Sequence, residues 1–403
     1  TDNVRGIVLS GSPASVHDAD SPRRDPAVYN TGLPILGICY GLQVTVDRLG
    51  GTISRSTHRE YGLATVDVAA RDSIAAPTGP AQFRSWMSHG DTIQSLPDGA
   101  TTIGRSQNGL PAVVSIPEFR FTGLQFHPEV SHTEGGSELL ARFARETCGA
   151  SPDWTMDTYL STIQDDLRRT AADRPVLLLI SGGVDSTVVG ALLLKALQPD
   201  QVHLMYVDTG LMRGGETEHV TAALNQLGAE HLHIIDAEDE FLRALAGVAD
   251  PEEKRTIIGD LFVKIQEREI KRHIPGDYLL AQGTLYTDLV ESGHGVGRHG
   301  ARIKSHHNVA APMIREKREA GQIVEPLSSL YKDEVRHLGT LLGLPSTVVD
   351  RHPFPGPGLA VRILGEVTKE RCDTLRAADS IYIEELRRRN LYGEIWQAFS
   401  VLL

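Results

Sequence analysis

The sequence predicts an α/β protein built from two doubly wound parallel-sheet domains and the start of a third, α+β unit. Short apolar stretches typical of strands alternate with amphipathic stretches typical of helices in two series, one before residue 150 and one after residue 175. Such alternation predicts parallel strands with helices on both faces of each sheet. Turn-forming residues at 149–152 separate the two series, and the Pro- and Gly-rich segment 353–358 interrupts the second.

The first domain is expected to occupy residues 1–150, followed by a linker helix within 151–175. Apolar runs predict strands at 4–9, 34–39, 64–68 and 121–126, and helical periodicity predicts helices at 42–49, 136–147 and 156–169.

The second domain is expected to occupy residues 176–352, and residues 353–403 to begin a C-terminal unit. In this part of the chain the pattern predicts strands at 176–180, 202–207, 231–235 and 277–281, with helices at 186–197, 216–227 and 252–272.

Composition narrows the classes of function. The formal charge of −12 over 403 residues disfavours a broad nucleic-acid surface, which needs clustered Lys and Arg. No apolar run is long enough for a membrane span, and three cysteines do not form a disulfide framework, so we expect a reduced, cytoplasmic protein. The first residue is not Met, and residues 398–403 read like a strand that lacks partners, which suggests a piece of a longer protein.

A nucleophile elbow is the first motif that indicates chemistry. Gly37-Ile38-Cys39-Tyr40-Gly41 lies between a predicted strand and a predicted helix, and it has the G-x-S-x-G pattern with a thiol in place of the hydroxyl. Glycines at both ends allow the sharp turn that projects the nucleophile above the sheet. We therefore predict that Cys39 is a catalytic thiol.

A base and an oxyanion site for this thiol can also be assigned. His127 and Glu129 follow a later strand, and alternation places both on one side, so Glu129 can orient the imidazole. The amides of Gly11 and Tyr40 are candidates for the oxyanion site. The alternative, a buried structural cysteine and an unrelated histidine, is less favoured once the elbow is considered with them.

Residues 1–150 resemble the class I glutamine amidotransferase family. The resemblance lies in residues 37–43, 88–91 and 126–129. It implies that a Cys39 thiolate attacks the side-chain amide of glutamine and releases ammonia, and that glutamine is held by a set of polar residues: Gln43, Ser88, His89, Gly90 and Asp91. The family usually begins with a further strand and helix, and its oxyanion turn commonly reads Gly-Gly-Pro where this chain has Gly11-Ser12-Pro13.

A phosphate-binding loop without a lysine is the second motif. Residues 181–186, Ser-Gly-Gly-Val-Asp-Ser, lie between a predicted strand and helix, where backbone N–H groups and the helix N-terminus favour phosphate. Ser181 and Ser186 can donate hydrogen bonds, and Asp185 can help hold Mg²⁺. The loop lacks the lysine of the G-x-x-x-x-G-K-[ST] motif.

This loop resembles that of the ATP pyrophosphatase superfamily, whose members split ATP between its α and β phosphates and form an adenylate. The resemblance implies that ATP is bound by Ser181, Gly182, Gly183, Val184, Asp185 and Ser186, with Val207 and Gly283 near the adenosine.

Across its length the chain resembles the glutamine-hydrolysing GMP synthetase family, through residues 304–308, 324–327, 332–335 and 351–358. The resemblance implies that ATP adenylates O2 of xanthosine monophosphate (XMP) and that ammonia displaces AMP to give GMP. It also implies roles for Lys304, His306, His307 and Arg351 at the XMP and adenylation site, and a homodimer formed through a C-terminal domain.

Alternative functions remain open from the residues alone. Another glutamine-dependent adenylating ligase would share residues 181–186, although NAD and asparagine synthetases use unrelated glutaminase domains and CTP synthetase uses a lysine-bearing loop. A catalytically silent nucleotide-binding protein is a further alternative. A metal site formed by His294, His299, His306 and His307 is disfavoured, because their spacing matches no standard pattern.

Overall fold

The computed structural model describes residues 4–23, 25–69, 74–75, 81–291 and 312–403. The chain divides into two compact units, Thr1–Asp153 and Trp154–Leu403. The boundaries that the sequence suggests at residues 150, 175 and 352 stay predictions.

The first unit contains a seven-stranded sheet in the order β1-β2-β7-β6-β5-β3-β4. Its strands are β1 (Ile7–Leu9), β2 (Ile35–Ile38), β3 (Thr52–Val68), β4 (Gln82–Ser95), β5 (Thr101–Ser106), β6 (Pro111–Ile116) and β7 (Phe121–Leu124). Its helices include α1 (Tyr40–Arg48) and α2 (Gly136–Arg142), and α2 continues into a π-helical turn at Phe143–Thr147.

The α/β class is confirmed, and the structure refines the predicted parallel sheet of this unit to a mixed one. Strands β1, β2 and β7 are parallel, whereas β6, β5, β3 and β4 pair antiparallel. Strands β4, β5 and β6 are not predicted by the sequence pattern. Buried and exposed residues alternate along much of β4, so this strand lacks the continuous apolar run of a strand buried on both faces.

Two clusters of buried apolar side chains pack against the two faces of this sheet. Successive β2 residues point to opposite faces, so Ile35 packs in the cluster with Leu42 and Phe121, while Leu36 packs in the cluster with Phe126. Burial on both faces explains the apolar sequence of β2.

The second unit contains a five-stranded sheet in the order β10-β9-β8-β11-β12, and every pair in it is parallel, as predicted. The strands are β8 (Val176–Ile180), β9 (Val202–Asp208), β10 (His231–Asp236), β11 (Leu279–Ala281) and β12 (Ile323–Val324). The helices are α3 (Met156–Ala171), α4 (Val184–Ala196), α5 (Glu216–Gln226), α6 (Glu238–Ala244), α7 (Pro251–His273), α8 (Tyr286–Glu291), α9 (Pro312–Glu319), α10 (Lys332–Leu341), α11 (Ser346–Val349) and α12 (Lys369–Arg388).

Strand β8 is central in this sheet, and the chain winds away from it in both directions. The chain continues through β9 and β10 on one side, and returns on the other side through β11 and β12. Open parallel sheets bind ligands at the carboxyl ends of strands where the order reverses. The segments that follow β8 and β11 are therefore where a ligand is expected. Within the ranges given above, no helix is both long and apolar enough to cross a membrane.

Candidate active sites

Cys39 lies at a strained turn between β2 and α1, which is the geometry of a nucleophile elbow. Its φ angle is 49° and its ψ angle −104°, a conformation that L-residues rarely adopt. The turn is held by its backbone N–H, which donates to the Leu124 carbonyl at 2.7 Å. The residue is 3% exposed. The fold therefore fixes the thiol at the carboxyl end of β2.

The glycines on either side of Cys39 are required by close backbone packing. A Cβ atom at Gly41 would lie 2.0 Å from the Leu9 carbonyl oxygen, and one at Gly37 would lie 2.5 Å from the Phe121 ring. Neither neighbour is the free end of a flexible chain. A larger residue at either position would force the Leu9 backbone or the buried Phe121 ring to shift, which explains glycine on both sides of Cys39.

The predicted base and its orienting carboxylate lie together after β7. His127 Nδ1 lies 2.7 Å from Glu129 Oε1, and the His127 backbone N–H donates to the Trp86 carbonyl at 3.0 Å. Thr133 Oγ1 donates to the His127 carbonyl at 2.6 Å, so both backbone polar groups of His127 are held. Because Nδ1 is hydrogen-bonded to Glu129, Nε2 is the ring nitrogen that can interact with the Cys39 sulfur.

The electrostatic setting of His127 favours the imidazolium form. The Cys39 sulfur, followed by Glu129, raises the pKa of His127 to about 10, and burial only partly opposes this rise. Among the described residues its buried Nε2 atom has no partner at strict hydrogen-bond geometry, and the Cys39 sulfur is the neighbour whose hydrogen bonding contributes most to the raised pKa. Burial raises the pKa of Glu129, but the hydrogen bond with His127, a hydrogen bond from a backbone N–H group and the nearby His127 charge together lower it overall. The arrangement can hold a thiolate–imidazolium pair.

Gly11 lies against the side chains of both Cys39 and His127, the predicted nucleophile and base. A Cβ atom at this position would be 3.1 Å from His127 Cε1 and 3.8 Å from Cys39 Cβ. Gly11 follows β1, Cys39 follows β2 and His127 follows β7, so the carboxyl ends of three adjacent parallel strands supply the site. Tyr40 opens α1, where the first backbone N–H groups have no intrahelical partner. Both predicted oxyanion donors are therefore close to the thiol.

The predicted glutamine-binding residues differ in their solvent exposure. Ser88 is exposed and its carbonyl accepts from Cys39 Sγ at 3.7 Å; Gly90 is half-buried. Asp91 is 7% exposed and its Oδ2 accepts from Ser15 Oγ at 2.5 Å. Gln43 is 3% exposed, with Nε2 donating to the Asp91 carbonyl. Ser88 and Gly90 are thus the members most open to a ligand.

His89 belongs to a buried polar network that the sequence pattern does not reveal. Its Nε2 lies 3.1 Å from Glu60 Oε2 and its Nδ1 lies 2.9 Å from the Asp91 carbonyl oxygen. Ser106 and Asn108 also donate to Glu60, each at 2.8 Å. Burial opposes ionisation of Glu60, but these hydrogen bonds lower its pKa overall. The network fixes the strand that carries the Ser88–Asp91 segment.

The phosphate loop is preorganised by its own hydroxyl groups. Ser186 Oγ accepts from the Ser181 backbone N–H at 3.2 Å and donates to the Gly183 carbonyl at 3.2 Å. Ser181 Oγ accepts from the Gly183 backbone N–H at 3.3 Å. Gly182 has a φ of 76°, so glycine is favoured there. The loop follows β8 directly, and its last three residues form the first turn of α4.

Arg351 holds this loop from outside. One terminal nitrogen of Arg351 donates to the Gly182 carbonyl and the other to Glu216 Oε1. The two side chains are 14% and 5% exposed, so this is a buried ion pair. The sequence resemblance assigns Arg351 to the XMP site and does not point to Glu216. In the structure the guanidinium contacts the phosphate loop itself.

A lysine reaches the phosphate loop from a distant part of the chain. Lys332 Nζ, at the first residue of α10, lies 2.6 Å from Asp185 Oδ1. In the sequence the segment 332–335 carries only a family resemblance, and no local pattern connects it with residue 185. Asp185, the predicted Mg²⁺ ligand, thus already has a cationic partner.

Gly283 and Val207 lie at the ends of the strands that flank β8. A Cβ atom at Gly283 would lie 3.2 Å from Asp185 Cβ and 3.3 Å from the Ser186 backbone nitrogen, so the segment after β11 packs against the loop. Val207 is buried near the end of β9, and the next residue, Asp208, accepts from Thr217 Oγ1 at 2.8 Å. These segments meet at the predicted ligand edge of the sheet.

Three predicted site residues, Lys304, His306 and His307, lie outside the described residues, as do His294 and His299. Within the parts of the chain that the structure describes, no group of three or more His, Cys, Asp or Glu residues is placed to hold a metal ion. Burial raises the pKa of Cys148, and it raises the pKa of Cys372 to about 11, so neither is set up as a nucleophile.

Comparison with known proteins supports both halves of this description. A family model described as glutamine amidotransferase class-I matches residues 1–147, and one described as asparagine synthase matches residues 160–261. A GMP synthase [glutamine-hydrolyzing] of Zymomonas mobilis is 46% identical over 402 residues, 99% of this chain and 76% of the relative. A GMP synthase [glutamine-hydrolyzing] of Aquifex aeolicus is 46% identical over 401 residues, which are 100% of this chain and 77% of the relative. A glutamine amidotransferase of Thermotoga maritima, a solved structure, is 24% identical, covers 36% of this chain and 53% of that chain, and has a TM-score of 0.23.

The chain therefore combines a class I glutamine amidotransferase domain with an ATP pyrophosphatase domain. At this identity and coverage it belongs to the family of glutamine-hydrolysing GMP synthases.

Proposed function

We propose that this chain synthesises GMP from XMP, with ATP as the activating nucleotide and glutamine as the nitrogen donor. The observation that carries the proposal is the Cys39–His127–Glu129 arrangement, in a chain that also contains the 181–186 phosphate loop. Membership of the GMP synthase family selects XMP among the substrates that such a pair of domains could amidate.

Glutamine hydrolysis begins with attack of the Cys39 thiolate on the side-chain carbonyl carbon of glutamine. The C–N bond then breaks, His127 donates its proton to the departing nitrogen, and ammonia leaves a glutamyl thioester. Water next attacks the thioester while neutral His127 accepts a proton, which releases glutamate and restores the thiolate–imidazolium pair. Glu129 holds the imidazole in one orientation throughout.

The negative charge that develops on the carbonyl oxygen requires donors that are already in place. The backbone N–H groups of Gly11 and Tyr40 are proposed for this role, because both lie beside Cys39. Ser88 and Gly90 are proposed to contact the glutamine. Gln43, His89 and Asp91 support that contact through the internal hydrogen bonds described above.

The second reaction uses the phosphate loop. The β and γ phosphates of ATP are proposed to bind residues 181–186, with Val207 and Gly283 near the adenosine. O2 of XMP attacks the α phosphorus, pyrophosphate leaves, and ammonia then displaces AMP from C2 to give GMP. Asp185 is proposed to help hold Mg²⁺, which would neutralise phosphate oxygens. Lys332 would supply a further positive charge at the loop.

Several finer assignments belong to the same proposal. Lys304, His306 and His307 are proposed to act at the adenylation site, and Arg351 to position the phosphate loop next to XMP. A homodimer, a cytoplasmic location, and the domain limits at residues 150, 175 and 352 complete it.

The experiment that tests this function is nucleotide analysis after incubation with ATP, Mg²⁺ and XMP, with either ammonium or glutamine as the nitrogen source. Both sources should give GMP with equal amounts of AMP and pyrophosphate. Cys39→Ser should abolish the glutamine-driven reaction and leave the ammonium-driven one unchanged, whereas Cys148→Ser should retain both. If the unmodified chain made no GMP with ammonium and none with glutamine, the proposal would be refuted.

A further inference from the structure

Gln125 lies beside the catalytic thiol, and the mechanism above gives it no part. It follows β7 by one residue and precedes His127 by two, so strand-like alternation places both side chains on the same side. Its Nε2 donates to Cys39 Sγ at 3.7 Å, and the residue is 2% exposed. A buried amide with a donor on the nucleophile is placed to influence its ionisation.

A chain of hydrogen bonds fixes which end of the Gln125 amide faces the sulfur. The Asp91 carbonyl oxygen can only accept, so Gln43 Nε2 must face it, at 3.2 Å. The same Nε2 donates to Gln125 Oε1, also at 3.2 Å. A flipped Gln125 would set two NH₂ groups against each other and its own oxygen against the sulfur. The Asp91 carbonyl therefore dictates, through Gln43, that Gln125 presents an N–H group to Cys39.

The thiol and the thiolate form of Cys39 have different partners. A thiol can donate to the Ser88 carbonyl, 3.7 Å away, but a thiolate has no proton to donate and gains only from donors. The N–H group of Gln125 is such a donor, and hydrogen bonds to an ionised acceptor are stronger than those between neutral groups. Burial makes the hydrogen bond to the thiolate stronger still relative to one with the neutral thiol, because little water competes for the sulfur.

We propose that Gln125 is a positioning residue that stabilises the Cys39 thiolate, and that Gln43 holds the direction of its amide. Gln43 thus acts on the nucleophile through Gln125, and both N–H groups of its amide are already engaged rather than free to bind glutamine. The inference rests on the proposed glutamine hydrolysis for its function, but its geometry does not depend on ATP or XMP.

The charged groups around Cys39 do not change when Gln125 is replaced by a neutral residue. Among the described residues these groups include His127 and Glu129 from the segment after β7, and His89 and Asp91, which flank on β4 the segment whose Ser88 carbonyl meets the sulfur. A change in the ionisation of Cys39 in a Gln125→Met variant therefore reports the lost hydrogen bond.

The test is the pH dependence of Cys39 alkylation by iodoacetamide, measured on the Cys39 peptide by mass spectrometry. In Gln125→Met we expect the midpoint pH to rise by about 0.5 to 1 unit and the rate at pH 7 to fall about 3- to 10-fold, as expected for the loss of one hydrogen bond of ordinary net strength. Gln125→Glu, which is nearly isosteric but removes the donor, should shift the midpoint further. Gln94→Met, an exposed site on β4 where the amide donates to Ser54, is the matched control and should leave it unchanged.

Gln43→Met should shift the midpoint in the same direction by less, and the double variant should match Gln125→Met alone. Circular dichroism identifies which variants are folded. An unchanged midpoint in any folded Gln125 variant, even one with a lower melting temperature, would overturn the inference and leave Gln125 with a packing role. Because alkylation needs no ATP or XMP, a shifted midpoint in a protein that makes no GMP would refute the proposed function alone.

Discussion

Lys332 and Asp185 form an ion pair at the phosphate loop, with Nζ 2.6 Å from Oδ1, although 147 residues separate them in the chain. The loop itself lacks the lysine common to other phosphate loops. The fold supplies that positive charge from the first residue of α10 instead. A lysine in this position can stay with Asp185 or contact phosphate oxygens once ATP binds.

Lys332→Met is therefore expected to slow the adenylation reaction. Ammonium-driven GMP formation should fall about 10- to 100-fold, which is less than for a donor in a buried oxyanion site because both side chains are partly exposed. Lys332→Arg should retain part of the rate. Stability should change by less than about 1 kcal/mol, because both side chains are about one third exposed.

The matched control for this prediction is Lys195→Met, which removes an exposed lysine from α4, the helix that also carries Asp185. Equal rates in the two variants would show that Lys332 neutralises Asp185 without assisting the reaction.

Gly41→Ala is expected to abolish glutamine-driven GMP formation and leave the ammonium-driven reaction intact. Its Cβ would lie 2.0 Å from the Leu9 carbonyl oxygen, so α1 would have to move away from β1 and carry Cys39 with it. Gly259→Ala on α7 is the control, since a Cβ there meets no atom of the described residues within 4 Å. That substitution should raise the free energy of unfolding by up to about 1 kcal/mol. Retained glutamine-driven activity in Gly41→Ala would show that the elbow tolerates displacement.

The pKa of His127 predicts a pH-dependent contribution to stability. Its pKa is about 10 in the folded chain, against an ordinary value of 6.5, so the folded state binds this proton more tightly. The resulting stabilisation is fully present below about pH 6.5 and is lost as the pH rises towards 10. The difference in free energy of unfolding between the unmodified chain and His127→Gln, measured in urea, should shrink over that interval.

Cys39→Ser removes the larger cause of that raised pKa, and Glu129→Gln removes the second. In each variant the stabilisation by protonated His127 should be lost by a lower pH than in the unmodified chain. A difference that stayed constant from pH 6.5 to 10 would mean that the imidazolium is not stabilised by its two neighbours.

The parts of the fold that the sequence predicts best are those whose signal is local. Strand β8 is predicted at its observed limits because a continuous apolar run ends at the loop glycines. The Cys39 elbow is recognisable because two glycines flank a thiol between a strand and a helix. Strands β4 and β5 are missed because polar residues interrupt their patterns. Strand β6 has an apolar run only four residues after β5, which could have indicated a hairpin.

The site residues that the sequence does not reveal act through contacts between distant segments. Nothing in the local sequence of Glu60, Glu216 or Lys332 indicates which group each one meets. Gln125 differs, because its position two residues before His127 already places it on the catalytic side of the strand. The strand alternation that locates Glu129 could have located Gln125 as well.

Replacing Arg351 tests whether the loop depends on the buried ion pair behind it. Arg351→Met leaves Glu216, which is 5% exposed, without its cation, and removing one member of a buried pair typically costs about 3–5 kcal/mol. The substitution also removes the hydrogen bond to the Gly182 carbonyl, which holds the phosphate loop. Ammonium-driven GMP formation should therefore decrease together with the free energy of unfolding. Arg169→Met, which breaks an exposed pair with Asp166, should cost less than about 1 kcal/mol. Adding Glu216→Leu to Arg351→Met should restore part of the free energy of unfolding, because the uncompensated charge is then gone. If the two substitutions are instead additive in urea unfolding, the residues do not stabilise the loop as a pair.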